Sequence, residues 1–271
     1  MKKTILVYRD KGVFRTSAMG WERAFKVRGY NVIICNKKAL LHNIHRSDIA
    51  AIVMPGGNSG NPALGDDTIK ASLGEDGTRA LEKYMAHGVL LLVCGSAYRF
   101  SKEIIFQYEK DGVKEHLNEL GAGFYDAVTR NWRYYDDSPA TAEIARLSLN
   151  GRPLSIFYHG GPFFEFGKTE AVKPFLFFED GQIAGAEIEK EKGNVIVLSM
   201  HPEFVGITPS YPVEKGDSIA GRATEIRTLV NHMNRHANDH HTLLDFIEHR
   251  ISQTAKNRAT RTPVVKRAQF V

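Results

Sequence analysis

Gly88–Phe100 reads G-V-L-L-L-V-C-G-S-A-Y-R-F. Val89 to Val93 is an apolar run of strand length, too short for a typical helix and continuous enough for a strand buried on both faces. It stops at Cys94, and the small residues Gly95, Ser96 and Ala97 follow at once. A strand that becomes a helix within one residue exposes the side chain at its apex, strains the backbone there and needs small neighbours. That is the geometry of a nucleophile elbow. Here the apex side chain is a thiol, and a helix starting beside it aims free N–H groups at the sulfur. A lone cysteine at a strand end is also an ordinary buried apolar residue, so the rest of the chain has to decide.

Outward from this stretch, strand and helix patterns alternate. Thr4–Tyr8, Asn31–Cys35 and Ile49–Met54 read as earlier strands, with Cys35 a core thiol. Ser17 reads as the cap of a helix through Arg28 that ends at Gly29, and Thr78–His87 as the helix before the central strand. Such alternation predicts a mostly parallel sheet with right-handed crossovers. The third strand ends in Pro55-Gly56-Gly57-Asn58, where two glycines let backbone N–H groups approach a ligand at the carboxyl edge of the sheet. A loop through Asn61, Pro62 and Leu64 reads as a pocket wall.

After a helix expected to end near Lys110, the pattern shortens. Phe124–Arg130, Ala142–Leu149, Leu154–Tyr158, Phe175–Glu179, Gln182–Glu189 and Asn194–Ser199 read as strands of an antiparallel extension, and Asn150-Gly151 is a hairpin-turn signature. Tyr158-His159-Gly160-Gly161-Pro162-Phe163-Phe164 holds a second glycine pair, read as pocket lining or as a plain turn. The last strand runs into His201-Pro202-Glu203, which delivers an imidazole and a carboxylate to the same edge as Cys94 if the strands are parallel. Gly221–Gln253 reads as helix broken near Asn238-Asp239. His232, His236 and His240 fall four residues apart there, but no carboxylate or cysteine motif completes a metal site. No metal and no cofactor are expected.

Length and composition bound the answer. The 271 residues, 42% hydrophobic, suit one large α/β domain or two small ones. Two cysteines cannot make a disulfide framework, Arg9 and Asp10 interrupt the first apolar run, and no segment approaches bilayer length, so a soluble cytoplasmic protein is expected. The net charge of +5 sits in the tail, where Arg250, Lys256, Arg258, Arg261, Lys266 and Arg267 meet no Asp or Glu. The body is near neutral, which argues against a nucleic-acid face. The domain reading is 1–235 for the α/β body and 236–271 for a C-terminal helix and basic flexible tail.

Five phrases in order, Val7-Tyr8, Met54-Pro55-Gly56-Gly57, Cys94-Gly95-Ser96-Ala97-Tyr98, Tyr158 to Phe164 and His201-Pro202-Glu203-Phe204, resemble the biotin-protein ligase N-terminal domain family of the class I glutamine amidotransferase-like superfamily. The resemblance implies a flavodoxin-like three-layer sandwich with a mostly parallel central sheet, extended by antiparallel strands in the second half. It implies Cys94 as nucleophile, His201 as general base and then acid, and Glu203 as the group orienting His201. An oxyanion hole would come from backbone N–H groups of Gly56, Gly57 and Gly95, and a substrate pocket from Asn58, Ser96, Tyr98, His159, Gly160 and Gly161. The superfamily elbow carries glycine two residues before and two after the cysteine; Leu92 and Ser96 stand here, and Ala97-Tyr98-Arg99 replaces the usual glutamine-recognition phrase. The glycine-rich adenylation motif of biotin ligases does not occur, so biotinylation is not expected. The resulting expectation is a cysteine hydrolase acting on a small-molecule or peptide-like substrate, with no membrane or nucleic-acid partner. The alternative is a non-catalytic binding or regulatory module that keeps the pocket and engages a protein partner or a second copy.

Overall fold

The computed structural model describes residues 2–59, 67–110, 113–131, 142–168, 171–205 and 230–260. Its centre is five parallel strands, β1 (Thr4–Tyr8), β2 (Asn31–Cys35), β3 (Ile49–Met54), β4 (Val89–Val93) and β13 (Asn194–Leu198), in the order β2-β1-β3-β4-β13. This is the flavodoxin-type strand order, with the fifth place taken by the last strand of the chain. Every residue of β1, β3 and β4 is buried, as continuous apolar runs require when helices cover both faces.

Helices α1 (Arg15–Val27) and α5 (Ala237–Thr260) pack side by side, tied by Arg28–Asp245 at 2.6 Å and by Tyr30 and Ser252 hydroxyls at 3.3 Å. The layer across the sheet holds α2 (Lys37–Asn43), α3 (Ile69–Met85) and α4 (Gly95–Phe100). Ala18, Trp21 and Phe25 on α1 and Leu243, Leu244, Ile247 and Ile251 on α5 recur at helical spacing and enter one core. Burying each large side chain of this kind contributes roughly 1.5–3 kcal/mol. At the far end of α5, Arg250 meets the buried Glu187 carboxylate at 3.0 Å. Among the described residues no helix is long and apolar enough to cross a membrane.

Between β4 and β13 the chain makes an excursion through β5 (Ser101–Lys110), β6 (Val113–Leu120), β7 (Tyr125–Asn131), β8 (Glu143–Leu149), β9 (Arg152–Tyr158), β10 (Pro162–Phe166), β11 (Val172–Phe178) and β12 (Ile183–Glu189). These extend the sheet beyond β13 as β12-β10-β7-β5-β6, with β11 bridging β12 to the β8–β9 hairpin. The hairpin pairs Leu149 with Arg152 across Asn150 (φ 49°) and Gly151 (φ 88°), the two positive φ values a type I′ turn demands.

Several local expectations fail for identifiable reasons. The helix after Cys94 stops at Phe100, where the Ser101 hydroxyl donates to the Tyr98 carbonyl at 2.8 Å. The alternating stretch Ile104 to Gln107 then pairs with β6 as an edge hairpin. Helix α3 begins at Ile69, capped by the Thr68 hydroxyl, well before the Thr78 start read from the sequence, and Gly74 (φ 63°) kinks it. Asn36 caps α2, a short helix that no expectation above includes. Pro162–Phe166 is strand rather than turn, paired with β7. The break before α5 falls at residue 236 rather than at Asn238-Asp239. The pocket-wall loop at Asn61, Pro62 and Leu64 lies outside the described residues.

Candidate active site

Because β4 and β13 are parallel neighbours with Val93 opposite Leu198, their carboxyl ends deliver Cys94 and His201 to one rim. The Cys94 N–H donates to the Leu198 carbonyl at 2.8 Å, which locks the elbow onto β13. Cys94 holds φ 50°, ψ −114°, a conformation rare for a side-chain-bearing residue. Leu92 does not prevent the turn: it is fully buried in register with Met54 and Val197. Ser96 sits under the elbow and donates to the Pro55 carbonyl at 2.6 Å. Gly95 has to be glycine, since a Cβ there would overlap the Gly57 carbonyl oxygen.

His201 and Glu203 are 1% exposed each, and Nδ1 of the imidazole lies 2.9 Å from Oε1 of the carboxylate. The same Oε1 accepts the Ser17 hydroxyl at 2.6 Å, and the Ser17 oxygen accepts the Gly56 N–H at 3.2 Å. Ser17 is therefore not a helix cap. Phe14 occupies that place, and Ser17 faces inward from the first turn of α1 to join the glycine loop to the carboxylate. Nothing near Ser17 in the chain signals this, because its partner is 186 residues away.

A Cβ on Gly56 would stand 2.6 Å from Cε1 and 3.5 Å from Nε2 of His201, and 3.4 Å from Cβ of Cys94. The space that glycine leaves open is where thiol and imidazole meet. His201 Nε2 is buried without a formed hydrogen bond, and the Cys94 sulfur lies 3.2 Å from the His159 carbonyl oxygen. Burial pushes the His201 imidazole down, but the charges of Glu203 and Cys94 and the hydrogen bonding outweigh it and raise the group to about 10. That balance favours the ring as a proton acceptor toward the sulfur. Phe157 and Phe204 wall it in, their centroids 5.8 and 5.3 Å from it.

The remaining sequence-derived positions divide. Gly56 gives its N–H to Ser17 at 3.2 Å, and the Gly57 carbonyl packs against Gly95 beneath the elbow. Asn58 is 3% exposed and turns its amide to the Asp67 carbonyl at 3.3 Å, so it braces the loop. Tyr98 lies in the core, edge-on to Phe106 at 5.7 Å. Of the second glycine pair, His159 touches the sulfur through its carbonyl and stacks its ring on Phe14 at 6.4 Å. Gly160 (φ 68°) makes the turn, and the Gly161 carbonyl accepts the Tyr158 hydroxyl at 2.9 Å.

Among solved structures, a glutamine amidotransferase from Thermotoga maritima superposes with a TM-score of 0.55 at 11% identity, covering 97% of this chain and 100% of that one. A GMP synthase-type protein from Thermoplasma acidophilum gives 0.47 at 13% identity, covering 86% and 98%. No curated protein sequence matches the chain. The family described as "Biotin-protein ligase, N terminal" matches residues 3–268. With nearly the whole length inside that match, the chain belongs to the biotin-protein ligase N-terminal family.

Proposed function

We propose that the protein is an amidotransferase-like cysteine hydrolase acting on C–N bonds of a small amide or peptide-like substrate. The observation that carries this is the unbroken series Gly56 N–H, Ser17, Glu203, His201, ending with an unpartnered Nε2 beside the Cys94 elbow. A binding module has no use for a buried imidazole braced by a carboxylate next to a strained thiol.

In the proposed cycle the Cys94 thiol gives its proton to His201 Nε2, the thiolate attacks the substrate carbonyl carbon, and the C=O π pair moves to oxygen, where the Gly57 and Gly95 N–H groups receive it. Collapse of that adduct breaks the C–N bond, and the departing amine takes the proton from His201 Nε2. The thioester left on Cys94 is opened by water, whose proton passes to Nε2 while sulfur leaves. Glu203 keeps the ring oriented through Nδ1. Ammonia or an amine and a carboxylic acid are the products.

Ammonia release from a panel of small primary amides and of asparaginyl and glutaminyl peptides tests the reading, with mass spectrometry of Cys94 for a hydroxylamine-sensitive acyl adduct. Release that disappears in Cys94→Ala and His201→Ala supports it. Failure of every amide to release ammonia or to acylate Cys94 favours the second reading, a binding module. That reading draws on the resting thiol, which lies 3.2 Å from the His159 carbonyl oxygen.

A further inference from the structure

His240 is fully buried on the first turns of α5 and takes no part in the cycle above. Its ring nonetheless closes a loop of hydrogen bonds around the catalytic turn. Nε2 accepts the Phe157 N–H at 3.3 Å, and Nδ1 donates to the Pro202 carbonyl at 3.3 Å. The Phe157 carbonyl in turn accepts the N–H of His201 at 2.9 Å. One backbone donor and one backbone acceptor face the two ring nitrogens, so only the neutral Nδ1–H tautomer satisfies both. Next to it Asp239 accepts the Ser155 N–H at 3.0 Å, so α5 finishes an edge of β9 that no strand covers among the described residues.

We propose that His240 is a positioning residue: its neutral ring fastens the His201-Pro202-Glu203 turn to β9 and so sets where the His201 ring stands against Cys94. The inference rests on the catalytic reading above. Protonation would turn Nε2 into a donor facing the Phe157 N–H and release the turn. Burial keeps that form unfavourable, to about 4, against the Pro202 carbonyl and Asp239, which favour the proton, and with His236 and His241, which oppose it. The groups bearing on its charge are thus Asp239, His236 and His241 from α5, the Phe157 N–H from β9 and the Pro202 carbonyl from the turn.

The test measures iodoacetamide labelling of Cys94 between about pH 5 and about pH 10, spanning the ordinary histidine and cysteine range. Wild type, His240→Phe, His240→Gln and His201→Ala are compared, with melting temperatures taken alongside. His240→Phe keeps the volume and loses both hydrogen bonds; it should label roughly tenfold more slowly at neutral pH and move the midpoint of the profile. His240→Gln, with an amide that both donates and accepts, should restore most of the rate. A folded His240→Phe with the wild-type rate and midpoint overturns the positioning role. If that variant does not fold, nitrogen NMR of the wild-type ring decides: the Nδ1–H tautomer at neutral pH is required, and an Nε2–H or doubly protonated ring overturns the proposal. Equal labelling of wild type and His201→Ala sinks the catalytic reading instead, whereas a normal His201 dependence with no response at His240 sinks only this inference.

Discussion

His201 and His240 are both buried, both bonded through backbone to the same residue of β9, and displaced in opposite directions. At the rim, a carboxylate and a sulfur overcome the cost of burying an imidazolium. In the seam under α5, two backbone groups satisfy a neutral ring, and burial outweighs the Pro202 carbonyl and Asp239. What a buried histidine does is therefore set by what meets its second nitrogen, not by its depth. The pH dependence of the fold carries both signs. Unfolded histidine titrates near about 6.5. Folded His240 refuses a proton down to about 4, so its contribution is lost as pH falls from about 6.5 toward 4. Folded His201 keeps its proton to about 10, so its contribution is complete below about 6.5 and is lost as pH rises toward 10. Denaturant midpoints across pH should fall on both sides, and each side should flatten only when its own histidine environment is altered.

The sharpest way to break the contrast is Glu203→Gln. It removes the charge that holds His201 up, so Cys94 labelling at neutral pH should drop on the order of 10²-fold and the alkaline loss of stability should flatten. An unchanged rate would mean the carboxylate is only structural. Gly56→Ala should follow, because its new Cβ would lie 2.6 Å from His201 Cε1. The ring must move, at a cost of about 1–3 kcal/mol in unfolding free energy and with slower labelling. Ser17→Ala leaves the Gly56 N–H without its acceptor and takes one of two donors from Glu203 Oε1, and should cost about 1–3 kcal/mol while sparing most of the labelling rate. Asp239→Ala, at the His240 side, should cost about 1 kcal/mol, measured by denaturation, with labelling unaltered.

Much of this was legible because it is local. The apolar runs Val89–Val93 and Ile49–Met54 could only be buried strands, the small residues after Cys94 announced the elbow, and Asn150-Gly151 specified its own turn. What escaped depends on distance or on weak punctuation. Ser17 looks like a cap in isolation and becomes part of the site only once β13 lies beside β4. Asn58, Ser96 and Tyr98 sit at the rim in sequence, yet packing turns their side chains into the frame. Gly74 and Gly77 imitate a loop inside α3, and Ser101 ends α4 without a glycine or proline to mark the place. His240 gave only the spacing of a ligand face, since its partners are backbone atoms of β9 and of the turn after β13.

The cooperation of sulfur, imidazole and carboxylate at one rim is tested most directly by the second-order rate of Cys94 carboxamidomethylation at neutral pH. Cys35, buried and pushed up to about 12, serves as the silent internal control. The wild-type sulfur should react about tenfold or more faster than free cysteine, and His201→Ala should bring it down to or below that reference. Identical rates for free cysteine, wild type and His201→Ala would contradict the assignment of Cys94 and His201 as a working pair.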